Sequence, residues 1–193
     1  MLFIPIDMLI KANRVKYKYL ALPTIIILLN FIFSFVLPAL SFKYTSLFAL
    51  IIYFIILIVF RFRRDFAETN DNVVFAPITG KITNIKTLET GHIVTIKKSF
   101  FATCEVVTCT KNDIPDIMPQ DTTNNQVSWH INCANKHIFI NETVKYQAVL
   151  VGVAPGNATC DVFIPNDYEL DIEVDGKVDA GLSELAVVNN NGL

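Results

Sequence analysis

The chain has 193 residues, a formal net charge of −2 at pH 7 and a hydrophobic fraction of 52%. Its charge is unevenly divided: residues 1–64 carry eight basic residues and one acidic residue, whereas residues 65–193 carry eight basic and seventeen acidic residues. The acidic part would repel a nucleic-acid backbone, while the basic part suits anionic lipid headgroups. The composition therefore argues against nucleic acid as a partner and favours a lipid bilayer.

Two apolar segments, residues 19–37 and 44–60, predict a transmembrane hairpin. A helix needs about 20 mostly apolar residues to cross a bilayer core of ~30 Å, and the second segment is near the short end of that range. A signal peptide would have an apolar region of about 7–15 residues and a cleavage site, and no second span would follow it so closely. A buried core hairpin is the other alternative. We expect residues 1–64 to form a membrane anchor with two transmembrane helices.

Basic residues flank the outer ends of this hairpin. Lysine and arginine are retained on the cytoplasmic side of membrane proteins, and the loop between the spans holds only Lys43. The sequence thus predicts a multi-pass protein of the inner (cytoplasmic) membrane, with its domain on the cytoplasmic side. The flanking basic residues are Lys11, Arg14, Lys16, Lys18, Arg61, Arg63 and Arg64. The last three are predicted to lie at the membrane surface.

Residues 65–193 predict one mostly-β domain, because short runs rich in β-branched and aromatic residues alternate with Gly, Asn and Pro. Residues 111–126 are instead rich in Pro, Asp, Thr and Asn and predict a loop. The predicted strands are 73–76, 81–86, 92–97, 103–108, 127–132, 136–141, 144–153 and 168–174.

Two tight turns predict how these strands are arranged. Residues 77–80 and 175–181 both place Pro or Gly between apolar strands. Paired turns of this kind resemble those of barrel-sandwich hybrid domains, the lipoyl-like fold. That architecture serves carriers, adaptors and enzymes alike, so it does not define a function by itself.

In chain order, the motifs resemble the short prokaryotic, membrane-anchored type of phosphatidylserine decarboxylase proenzyme. Residues 62–66, F-R-R-D-F, stand where that family has F-F-R-D-P after its membrane hairpin. Residues 76–82, A-P-I-T-G-K-I, resemble the family's S-P-A-D-G-K-V. Residues 156–165, G-N-A-T-C-D-V-F-I-P, resemble its F-G-S-R-V-D-V-Y-L-P. Residues 109–151 are shorter than the family's middle section and match it poorly.

The departures from the family fall at its catalytic positions. The family cleaves itself before a serine, which becomes a pyruvoyl cofactor, and the resemblance places Ala158 there. Thr79 stands at the family's aspartate, and a gapless extension places Cys104 at its histidine. Alanine has no hydroxyl for that chemistry, and threonine cannot replace a carboxylate base. The resemblance thus implies a protein without a pyruvoyl group, and we expect no other cofactor and no metal.

Three functions are consistent with this sequence. The first is a catalytically inactive relative of the decarboxylase that handles phospholipid or serves as a subunit beside a membrane-protein partner. The second is an active decarboxylase that makes phosphatidylethanolamine and whose self-cleavage site has moved to another position in the chain. The third is a barrel-sandwich adaptor or scaffold of a membrane complex. The first is our prediction.

Two further features leave alternatives open. Phe100 and Phe101 follow Lys97 and Lys98, so this segment is either part of the core or an interfacial wedge whose amines lie at lipid phosphates. We count both lysines among the predicted membrane-surface residues. Five other residues have side chains that zinc can bind, but their spacing matches no standard zinc motif, and buried or half-buried side chains are expected instead. These are Cys104, Cys109, His130, Cys133 and His137.

Overall fold

The computed structural model describes residues 6–34, 40–63, 70–111, 115–117, 126–140, 143–145 and 147–189. In these residues, two helices precede a series of short strands. The helices are α1 Ile6–Ser34 and α2 Leu40–Val59. The strands are β1 Val73–Phe75, β2 Gly80–Thr87, β3 Gly91–Lys98, β4 Glu105–Val107, β5 Ser128–Asn132, β6 His137–Ile138, β7 Leu150–Val153, β8 Ala158–Pro165, β9 Tyr168–Leu170, β10 Lys177–Val178 and β11 Glu184–Val188.

The two helices pack side by side as an apolar pair. Asn30 Nδ2 donates a hydrogen bond of 2.9 Å to Thr45 Oγ1 across the pair, a contact typical of helices that associate in lipid. Pro23 lies inside α1, and Thr24 Oγ1 donates to the carbonyl of Leu20 at 2.8 Å, which gives a partner to a main-chain acceptor in that turn. An apolar cavity of about 380 Å³ lies between the helices.

By length and composition, α1 could cross a membrane. The apolar stretch of α2, Lys43–Val59, is shorter. Large apolar side chains are exposed along both helices: Leu22 is 68% exposed and Phe48 is 65% exposed. Exposed apolar surface on this scale marks an interaction site.

The β domain is built from antiparallel strands in three sheets. The largest has the order β10-β2-β3-β8-β5, and two three-stranded sheets have the orders β1-β11-β9 and β4-β7-β6. Their inner faces enclose one apolar core, in which Trp129 is fully buried. The domain is therefore mostly β as predicted, and within the described residues its sheets do not close into a barrel.

The predicted strands agree with the structure best where they form the central hairpin, β2 and β3. The prediction was wrong for most of residues 144–153, where the strand covers only Leu150–Val153. It also did not identify the eight-residue strand β8 or the strand β11. The predicted loop 111–126 lies largely outside the described residues.

The helices and the domain share a packed contact. A second apolar cluster joins the helices to β7 and to Cys104, the residue before β4, and the rings of Tyr19 and Phe60 lie with their centroids 5.2 Å apart. The buried members of this cluster, which we term the helix–domain contact, are Ala12, Val59, Phe60, Cys104, Leu150 and Val153. Helix α1 therefore begins at Ile6, well before the predicted span at residue 19, because its first half packs on the domain.

Candidate functional site at the foot of the hairpin

Thr79, which the sequence resemblance predicts at the position of a catalytic aspartate, lies in the turn between β1 and β2. The main-chain N–H of Ala180 donates to Thr79 Oγ1 at 3.1 Å, and Thr103 Oγ1 lies 3.0 Å from the same atom. Both contacts are those of a turn-stabilising hydroxyl. Thr79 thus joins the two predicted turns and holds Thr103, the residue before Cys104.

Cys104, which a gapless extension of the sequence resemblance predicts at the position of a catalytic histidine, lies in the helix–domain contact. Its main-chain N–H donates to the carbonyl of Arg61 at 3.0 Å, directly after α2, and its side chain is fully buried. Burial, reinforced by the nearby Glu105 carboxylate, raises the pKa of the Cys104 thiol to about 12. At neutral pH this thiol is protonated, so it is neither a base nor a strong nucleophile.

Ala158, which the sequence resemblance predicts at the position of a self-cleaving serine, is the first residue of β8. It is 4% exposed and is paired with Lys98 at the end of the antiparallel ladder between β3 and β8. Asn157 before it is exposed, and Gly156 adopts a positive φ of 78°. The peptide that would have to break therefore joins a turn to a regular strand.

Lys98 occupies the interior beside this position. It is 1% exposed, and its Nζ donates hydrogen bonds to the carbonyls of Gly156 at 2.6 Å and Ser99 at 3.4 Å. Burial lowers the pKa of this amine, and the thiols of Cys104 and Cys133 and the carboxylate of Glu105 oppose that shift. Lys98 was predicted at the membrane surface, but its amine is instead used to hold the turn before Ala158.

Glu105 is the acidic member of the same neighbourhood. Its side chain is fully buried, its Oε2 accepts a hydrogen bond of 3.3 Å from the main-chain N–H of Arg63, and no described group donates to its Oε1. Burial raises the pKa of Glu105, against hydrogen bonds from Thr103 and the main chain and the charge of Arg63. The domain interior next to the end of α2 thus holds a buried amine, that of Lys98, and a buried carboxyl group, that of Glu105.

The other predicted membrane-surface residues have separate positions. Arg61 and Lys97 are exposed. Arg63 is half-buried and its guanidinium forms an ion pair of 2.9 Å with Asp179. Arg64 lies outside the described residues. The structure therefore leaves Arg61 and Lys97 open to a headgroup, while Arg63 fastens the end of α2 to the domain.

The five residues with zinc-binding side chains do not gather into a site. In the described part of the chain, no three His, Cys, Asp or Glu residues are placed to hold a metal ion. His130 Nδ1 lies 3.1 Å from Asp116 Oδ1, and Lys136 Nζ lies 2.7 Å from Asp116 Oδ2. His137 packs edge-on against Tyr19, with ring centroids 6.5 Å apart.

Sequence reasoning missed Glu105 and the interior role of Lys98. Charged side chains are almost never fully buried unless they have a partner, so a lysine beside two phenylalanines is typical of a surface. The partner of Lys98, the carbonyl of Gly156, lies 58 positions away. The sequence does carry one signal for Glu105: it is an acidic residue at the start of an apolar strand.

The three family positions thus share one neighbourhood. Thr79 reaches it through Thr103, Cys104 lies within it, and Ala158 is paired with Lys98. Among these three there is a hydroxyl, a protonated thiol and a methyl group, so they supply no carboxylate–imidazole pair and no hydroxyl at the cleavage position. No protein-family model, curated protein or solved structure matches the chain.

Proposed function

We propose that this chain is a membrane-anchored, phosphatidylserine decarboxylase-like protein that has lost self-cleavage and decarboxylation. It acts on the cytoplasmic side of the inner membrane, in phospholipid handling or as a subunit beside a membrane-protein partner. The observation that carries the proposal is the position of Ala158, which starts a regular strand beside Lys98 and has no hydroxyl. Without that hydroxyl, neither attack on the preceding carbonyl nor formation of a pyruvoyl group is open to this chain.

The location of this neighbourhood supports a role at a lipid surface. The main-chain N–H of Cys104 is hydrogen-bonded to Arg61, two residues after the end of α2. The neighbourhood of Thr79, Cys104 and Ala158 therefore lies next to the helix pair. Arg61 is exposed at this point, and a basic side chain beside a membrane helix attracts anionic headgroups. A lipid headgroup is therefore the ligand that this position fits best.

The contacts between the two turns support the finer fold proposal, a barrel-sandwich hybrid. Gly80 pairs with Val178, and the N–H of Gly181 donates to the carbonyl of Ala76 at 2.9 Å. These contacts join the turns at residues 77–80 and 175–181, which supports related positions for the two turns. An experimental structure in which these turns are apart would reject this part of the proposal.

The enzymatic alternative, a decarboxylase with a relocated cleavage site, needs another hydroxyl in a suitable position. Thr159 lies inside the ladder between β3 and β8, where it is paired with Lys97. Ser183 Oγ accepts a hydrogen bond of 2.8 Å from the N–H of Asp179. Both hydroxyl residues belong to regular strand or turn structure, which favours the inactive protein.

The proposal is tested by turnover of phosphatidylserine. The full chain is incorporated into nanodiscs that contain phosphatidylserine, and the lipids are analysed by mass spectrometry after incubation. We expect the lipid to be returned unchanged by the natural chain and by Ala158→Ser. The variant restores the hydroxyl, but the Lys98 amine is hydrogen-bonded to the carbonyl of Gly156, and Thr79 and Cys104 supply no carboxylate–imidazole pair. Formation of phosphatidylethanolamine by the natural chain would overturn the proposal.

The lipid-handling role is tested by binding. Native mass spectrometry of the detergent-solubilised chain, with phosphatidylserine or phosphatidylcholine added, compares an anionic lipid with a neutral one. We expect phosphatidylserine to be retained preferentially and Arg61→Gln to reduce that preference, with exposed Lys86→Gln on β2 as the matched control. Equal retention of the two lipids would contradict phospholipid selection and leave the subunit role as the proposal.

A further inference from the structure

The β3–β4 turn, residues 99–102, presents two phenylalanine rings to the outside of the domain. Phe100 is 40% exposed and Phe101 is 61% exposed, and their ring centroids are 5.1 Å apart in an edge-to-face arrangement. The N–H of Ala102 closes the turn by donating to the carbonyl of Ser99 at 3.1 Å. We name these two rings and the turn that carries them the Phe100–Phe101 knob.

The knob is held rigidly from below. The ring of Phe100 lies over Gly156, such that a Cβ at Gly156 would lie 3.5 Å from it. The Gly156 carbonyl in turn accepts a hydrogen bond from the buried amine of Lys98. Lys98 is the last residue of β3 and directly precedes the knob. Two apolar rings are thus fixed in an exposed position, so no loop ordering is required before they bind.

The knob lies just before the point at which the domain meets the end of α2. The main-chain N–H of Cys104 donates to the carbonyl of Arg61, two residues after α2, and Glu105 Oε2 accepts from the N–H of Arg63. Phe101 precedes Cys104 by three residues, which limits its distance from it to roughly 10 Å.

We propose that the Phe100–Phe101 knob inserts into the lipid bilayer beside α2, as a second, interfacial attachment of the β domain. The inference rests on the proposed membrane anchor. Exposed Lys97 lies at the base of the knob, where its ammonium group can reach lipid phosphates. Apolar rings in the headgroup and acyl boundary with a basic residue above them are the arrangement of interfacial anchors. The attachment fixes the domain against the bilayer and presents the neighbourhood of Lys98 and Ala158 to the headgroup layer.

The test uses tryptophan fluorescence of the full chain in phosphatidylcholine–phosphatidylglycerol vesicles whose acyl chains are brominated. Natural Trp129 is fully buried in the domain and gives a constant background. The probe is Phe101→Trp. The matched control is Leu88→Trp, a half-buried position in the β2–β3 turn at the opposite end of β3. Phe54→Trp, which is 54% exposed on α2, reports on the anchor.

We expect quenching of Phe101→Trp to exceed that of Leu88→Trp by about twofold or more, since interfacial anchors insert roughly 5–10 Å into the boundary. Strong quenching of Phe54→Trp with equal, weak quenching at residues 101 and 88 would overturn the knob proposal while the anchor is retained. Absence of quenching at residue 54 would overturn the anchor, and the knob proposal with it.

Discussion

The carboxyl group of Glu105 is fully buried, so burial opposes its ionisation. Its ordinary pKa is 4.5, and burial raises the pKa in the folded protein. The folded state therefore binds the proton more tightly than the unfolded state does. The stability that Glu105 contributes is complete below pH 4.5 and is lost as the pH rises through the raised pKa.

The first prediction follows from that sign. Glu105→Gln keeps an acceptor for the N–H of Arg63 but cannot ionise, so the variant should gain stability over the natural chain as the pH rises above 4.5. At neutral pH we expect a gain of about 1.4 kcal/mol for each unit by which burial raises the pKa of Glu105 toward that pH, because only the natural side chain ionises. Denaturant unfolding of the detergent-solubilised chain across pH measures it. The control is Glu184→Gln at an exposed carboxylate, and a difference between natural chain and Glu105→Gln that is independent of pH would contradict the assignment.

The candidate site could be proposed from the sequence only where chain motifs carry it. Short motifs around a turn and a strand start singled out Thr79 and Ala158, and their assignment to a site stays a prediction. Lys98 could not be assigned correctly, because its position depends on a carbonyl far along the chain. From the sequence, its neighbours Phe100 and Phe101 could belong either to the core or to an interfacial wedge. Both side chains are exposed, which decides against the core.

At the scale of elements, alternation of apolar and polar residues predicted the strands that have one wet face. Strand β8 was missed because its last four residues are all buried, so the period of two is absent there. Strand β10 has only two residues and gives no pattern. The first half of α1 was not predicted as part of the helix, because it packs through the small residue Ala12 rather than through a wide apolar stripe.

The second prediction tests that packing. Ala12 is fully buried against the domain, so Ala12→Leu should overfill the helix–domain contact and lower stability by about 1–3 kcal/mol. The matched control is Ala21→Leu, the same change at an exposed position of α1, which we expect to be within about 0.5 kcal/mol of the natural chain. Thermal unfolding in detergent measures both. Equal effects of the two substitutions would show that α1 does not pack on the domain through Ala12.

At the scale of the whole molecule, the helix pair and the β domain form one packed unit with a charge asymmetry. Residues 1–64 carry eight basic residues and one acidic residue, and the other seventeen acidic residues lie in residues 65–193 with eight basic ones. This asymmetry is readable from sequence, since it depends on composition alone. The packing of β7 onto α1 is not, because it depends on where distant side chains meet.

The third prediction concerns the orientation of this unit. Since seven basic residues flank the outer ends of the hairpin and one lies in its loop, both termini should be on the cytoplasmic side. Protease added to sealed right-side-out vesicles should leave the β domain uncut, and inside-out vesicles serve as the control in which it is cut. Digestion of the domain in right-side-out vesicles would reverse the proposed orientation.

The central proposal is that the chain does not process itself, because the resemblance places Ala158, which has no hydroxyl, at the cleavage position and places neither a carboxylate nor an imidazole at Thr79 and Cys104. Intact-mass spectrometry of the purified protein tests it most directly. The account predicts one full-length polypeptide of 21.7 kDa, apart from ordinary N-terminal processing, without a pyruvoyl group. Two fragments divided between Asn157 and Ala158 would contradict it.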